Sequence, residues 1–153
     1  MYSTVLLIHS WLRWLVIMFA LIAIVRAILG ASRRAPWTRA DEIAGKLFLR
    51  TFDVQILLGL LLYFWLSPLT RSAFSDFGGA MGVAVTRFWA VEHVFGMVVA
   101  MVLAHVAQVR VRRIQNGRRK HMVTAIFYTL ALVALLAAIP WPGMPNERPL
   151  FRW

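Results

Sequence analysis

Arg87-Phe-Trp-Ala-Val-Glu92-His93-Val-Phe-Gly96-Met-Val-Val-Ala-Met-Val-Leu-Ala-His105-Val-Ala-Gln-Val-Arg110 is the stretch whose reading decides the fold. It is long enough to cross a bilayer, since a span needs about 20 mainly apolar residues. It also carries Glu92, His93 and His105 inside that length. Ionisable groups at membrane depth are costly, so they usually face a protein interior and mark a function. Two histidines on one apolar helix make it a candidate ligand helix for a cofactor such as haem. The plainer reading is a packing helix whose polar groups bond to neighbouring helices.

Three similar runs, roughly residues 5–29, 47–66 and 121–139, accompany the one at 87–109. Hydrophobic residues make up 61% of the 153-residue chain, against about 45–50% in soluble domains, and the excess sits in these runs. The expected fold is all-α: a single integral membrane domain over 1–153, built as a four-helix up-and-down bundle with a Pro/Trp-rich tail at 140–153. The first run lacks the basic start and short core of a cleaved signal and reads as a retained span. The absence of cysteine removes disulfides, iron–sulfur ligation and thiolate chemistry. A net charge of +11 would raise nucleic acid as a partner for a soluble protein. Here ten of the seventeen basic residues lie in the connections 30–46 and 110–120. Topology therefore explains them first, and no nucleic-acid partner is expected. By the positive-inside rule both connections face the cytoplasm, and both termini and the connection 67–86 face outward. The basic run 110–120 is also a natural contact for anionic lipid.

Polar residues within the runs supply the local arguments. His9 and Arg13 are four apart and share a helix face. Trp11 and Trp14 near the same end suit an interfacial aromatic belt. Thr38 followed by Asp41 and Glu42 is expected to cap a short helix leading into the second span. Arg50 and Asp53, three apart, are expected to pair with each other. Gln55 and Gly59 share a face further along, where a glycine admits a neighbouring helix or a flat cofactor. Gly78-Gly79-Ala-Met-Gly82 reads as a flexible connection without a phosphate-loop pattern. The tail is expected to lie along the interface or to dock on another subunit.

Depth then selects among the histidines. His93 is six residues inside its span, about 9 Å down a helix. His9 is roughly four to seven residues inside its own span, which starts from the same side of the membrane. Two imidazoles at similar depth on two helices suit an axial pair for one haem. In this reading Arg13 and Arg87 hold the propionates, and Gly96, three residues after His93, leaves room for a porphyrin edge. Glu92 points away from His93 and is expected to pair with an arginine such as Arg13. His105 is about 18 Å further along and about 120° around the helix, so it is a secondary candidate. His121 is expected to be exposed or interfacial at the mouth of the fourth span. No Cys-x-x-Cys-His motif is present, so any haem is non-covalent. Zinc is disfavoured because no tight ligand cluster is visible.

Leu-Leu-Ile-His9-Ser-Trp-Leu-Arg13-Trp, Arg87-Phe-Trp-Ala-Val-Glu92-His93, Leu-Ala-His105 and Ala-Ile-Pro140-Trp-Pro together resemble small bacterial four-span membrane proteins catalogued as cytochrome b-like. The resemblance covers nearly the whole chain, although the tail beyond Trp141 is longer than it leads one to expect. It implies a membrane b-type cytochrome in the bacterial inner membrane, with haem b on His9 and His93 as metal ligands and His105 as a rival. It also implies electron transfer, with quinone as a possible exchange partner. The alternative is a haem-free accessory subunit that packs against other membrane subunits of a respiratory or photosynthetic complex.

Overall fold

The computed structural model describes residues 1–152; Trp153, the end of the expected tail, lies outside the described residues. Four helical stretches are long and apolar enough to span a membrane: Tyr2–Ser32, Arg39–Leu66, Ala84–Arg113 and Gly117–Ala137. The elements in order are α1 (Tyr2–Ser32), α2 (Arg39–Leu61) continued by a π-helical turn (Leu62–Leu66), and three short helices, α3 (Pro68–Ser75), α4 (Phe77–Gly82) and α5 (Ala84–Arg87). A second π-helical turn (Phe88–Glu92) leads into α6 (His93–Arg113), and α7 (Gly117–Ala137) follows. Among the described residues there is no strand. The chain is an all-helical, multi-pass membrane protein whose surroundings are a lipid bilayer.

Side-chain caps set several helix ends. Thr38 opens α2: its hydroxyl accepts from the Asp41 N–H, and the Asp41 carboxylate accepts from the Thr38 N–H at 2.9 Å. This reciprocal box satisfies N–H groups that the helix leaves free. The cap therefore belongs to the spanning helix itself, and the separate short helix expected before it does not form. The glycine-rich connection is also helical. Ser67 caps α3 with Pro68 at its first position, and Asp76 Oδ1 accepts from the Gly79 N–H at 2.9 Å to start α4.

The four long helices form a closed circuit. α1 packs on α2 and α7, α6 packs on α7, and α2 meets α6 along a lighter seam, so α1 and α6 lie across the bundle from each other. Ala100, Ala104 and Ala107 are fully buried on α6, which lets it approach α7 closely. Toward the end of the bundle away from the termini, Phe48 stacks on Phe52 with ring centroids 5.8 Å apart and meets Tyr128 edge-on at 4.9 Å. At the other end the packing loosens into a cavity.

Candidate functional site: a two-histidine cavity beneath the C-terminal tail

A cavity of about 130 Å³ opens among α1, α2, α6, the end of α7 and the tail. His9 and His93 both line it, on helices that face each other across the bundle. Ser10, Arg13, Gln55, Gly59, Tyr63 and Trp89 also contribute, and Arg148 and Arg152 come in from the tail. The remainder of the wall is mainly Leu, Ile, Val and Met.

His93 is held firmly. Its Nδ1–H donates to the Ala138 carbonyl at 2.7 Å, because a carbonyl can only accept. That bond fixes the tautomer and leaves Nε2 as an unprotonated donor atom with no hydrogen bond to any described residue. Metal-ligating histidines use this arrangement, in which the second ring nitrogen is tied to a carbonyl. Phe88 and Trp89 flank the ring with centroids at 5.9 and 5.5 Å.

His9 is held differently. The Gln55 amide donates to the His9 carbonyl at 3.0 Å and lies 3.3 Å from His9 Nε2. His9 Nδ1 is buried without a partner, as are Gln55 Oε1 and Arg13 Nε. Buried polar groups are normally satisfied, so three unsatisfied atoms around one cavity indicate a place for polar ligand atoms or water. Gly59 stands against His9: a Cβ there would lie 3.2 Å from His9 Cε1.

The tail supplies the roof. Arg13 Nη2 donates to the Leu150 carbonyl at 2.7 Å, and Trp14 Nε1 donates to the same oxygen at 3.2 Å. Trp11 Nε1 donates to the Arg152 carbonyl at 2.9 Å, and Phe151 stacks on Trp14 at 5.4 Å. Arg148 lies over the Trp89 ring at 5.2 Å. The tail thus docks on its own first helix, and three arginines, Arg13, Arg148 and Arg152, join the two histidines on the lining of a mainly apolar cavity.

Several expected site residues lie elsewhere. Arg87 is half-exposed, donates to Glu92 Oε1 at 2.7 Å and is not part of the cavity lining. Even a regular helix sets Arg87 about 120° around from His93 over six residues, and the π-helical turn Phe88–Glu92 lies between them. Glu92 accordingly pairs with Arg87 and not with Arg13. Gly96 offers no room for a porphyrin edge, because a Cβ on it would meet Ala138 Cβ at 2.6 Å. It is a packing glycine against the end of α7, and Gly59 is the glycine at the cavity. His105 is remote from the cavity: Nδ1–H donates to Met101 O at 3.0 Å and Nε2 lies 3.3 Å from Asp53 Oδ1. That contact replaces the expected Arg50–Asp53 pair. His121 is buried, at 1% exposure, lying over Gly30 and beside Trp37, which overturns its expected exposure.

Gln55 and Gly59 are visible in the sequence as a polar and a small residue on one face. Arg148 and Arg152 carry no such signal, since their approach depends on the tail folding back. Among the described residues no group of three or more His, Cys, Asp or Glu side chains could hold a metal ion. No family model, curated protein or solved structure matches this chain.

Proposed function

We propose that the chain is a cytochrome b-like electron-transfer protein of the bacterial inner membrane that holds one non-covalent haem b in this cavity. The observation that carries the reading is the His93 imidazole, tied through Nδ1 to Ala138 with Nε2 free, in a cavity that also receives His9 from the opposite helix. His93 would hold the iron through Nε2, and its bond to the Ala138 carbonyl would raise the basicity of that nitrogen. His9 would be the second histidine to hold it, with the Gln55 amide giving up its contact with the ring. Arg13, Arg148 and Arg152, which line the cavity, would hold the haem carboxylates through charge-assisted bonds. The lack of a side chain at Gly59 lets the His9 ring sit close against α2. Haem held there would supply one-electron chemistry. By the positive-inside rule the site lies near the outer face, where a membrane quinone or a neighbouring redox subunit is the exchange partner.

The test is the visible spectrum of dithionite-reduced protein made with ample haem. A sharp b-type band is expected, lost in His93→Ala and in His9→Ala and retained in Arg87→Gln. Absence of Soret absorption in folded protein would sink the proposal. The Gln55 contact to His9 favours a second reading, a haem-free accessory subunit in which that bond simply joins α1 to α2. In that case Gln55→Leu lowers stability and no variant alters a spectrum.

A further inference from the structure

Asp53 of α2 and His105 of α6 meet on the outer surface of the seam between these helices, 3.3 Å apart, with side chains 45% and 46% exposed. Both lie inside apolar runs. Asp53 is six residues past Leu47, about 9 Å into the span, and His105 is four residues before Val109, about 6 Å in. Arg50, three residues before Asp53, is exposed on the same side and bonds to no other described residue. Ionisable groups within a bilayer almost always face protein or a water-filled cavity. Snorkelling can carry Arg50 toward the headgroups, but it leaves the shorter Asp53 facing hydrocarbon.

Helix geometry aligns this stripe. Arg50 and Leu57 are seven residues apart and about 20° from each other around α2, with Asp53 and Val54 within about 60° of Arg50 on either side. Leu57 and Val54 are exposed, at 65% and 49%. The stripe therefore carries one cation, one carboxylate and an apolar surround. A two-fold axis along the membrane normal brings two identical stripes together at equal depth, where each Arg50 meets the other copy's Asp53. Arg50 and Asp53 offset each other across the contact, while His105 stays beside Asp53 with its Nδ1 bonded to the Met101 carbonyl of its own helix. A face that is complementary to itself needs no other partner.

We propose that this face of α2 is the interface of a homodimer, sealed by reciprocal Arg50–Asp53 pairs. The proposal stands on different residues from the haem site and holds whether or not haem binds.

Because the chain has no cysteine, single-cysteine variants report directly. Leu57→Cys in native membranes under mild oxidation is expected to give a disulfide dimer whose mass is twice that of the chain. Ile126→Cys on α7, exposed at 54%, is expected to remain monomeric. Adding Arg50→Gln to Leu57→Cys is expected to lower the dimer fraction about tenfold, the scale of losing two modest charged contacts at once, one from each copy. Unmutated protein in lipid nanodiscs is expected to show two chains per particle by native mass spectrometry. One chain per particle, cross-linking of Leu57→Cys to a protein of another mass, or equal cross-linking at Ile126→Cys would each overturn the proposal.

Discussion

Gly96→Ala separates two physical effects that oppose each other. Helix propensity alone makes alanine better than glycine in a helix interior, by about 0.8–1 kcal/mol. The structure predicts the reverse outcome. The new methyl would lie 2.6 Å from Ala138 Cβ, whereas carbon atoms settle at about 3.5–4.0 Å. Neither carbon can rotate away, since both are fixed to backbone, so α6 and the end of α7 must separate by about 1 Å. Overpacking of this kind costs about 1–3 kcal/mol. The same displacement acts on the His93 Nδ1 to Ala138 O bond, now 2.7 Å. Lengthened to about 3.7 Å it no longer counts as a hydrogen bond, and about 1 kcal/mol more is lost. After subtracting the propensity gain, Gly96→Ala is expected to destabilise by about 1–3 kcal/mol. Ala138→Gly removes the clashing carbon, so the double variant should recover most of the loss. The assay is unfolding of detergent-solubilised protein followed by circular dichroism, with the His93 tautomer read by nitrogen NMR. A Gly96→Ala protein as stable as the parent, or a double variant no better than the single one, would refute the reasoning.

Two further outcomes follow from the cap and the tail. Thr38→Ala removes the box that opens α2 and should lower stability by about 1 kcal/mol in the same unfolding assay, with Ser in its place nearly neutral. Arg13→Gln removes the charge-assisted bond to Leu150 O, worth about 1.5–3 kcal/mol. It should release the tail, seen as faster amide exchange and proteolysis over residues 148–152, while the four spans remain protected.

The fold was largely legible in the sequence, and the site only in part. The four spans are apparent because hydropathy is a local sum: each run is apolar over its own length, whatever its neighbours do. His9 and His93 were also legible, since residue spacing gives depth along a helix and depth needs only the rise per residue. Facing directions were less accessible. Arg87 was assigned to the cavity by its depth alone, yet six helical residues turn it about 120° away from His93, and the π-helical turn Phe88–Glu92 lies between them. Gly96 and Gly59 are equally small in sequence, yet one packs on Ala138 and the other on His9. Asp53 had two partners within reach, Arg50 along its own helix and His105 across the seam. Only the placement of α2 beside α6 selects His105.

By itself, then, the sequence determined membrane residence, the number of spans, the basic connections and the common depth of two histidines. Each of these depends on residues close together in the chain. Tertiary structure decided which groups line the cavity and which turn away. It alone brings Arg148 and Arg152 over α1 and ties Leu150 to Arg13, 137 positions earlier. It also aligns Ala138 with His93, 45 positions away. Contacts at such separation arise from helix packing and the path of the tail, which no local periodicity encodes.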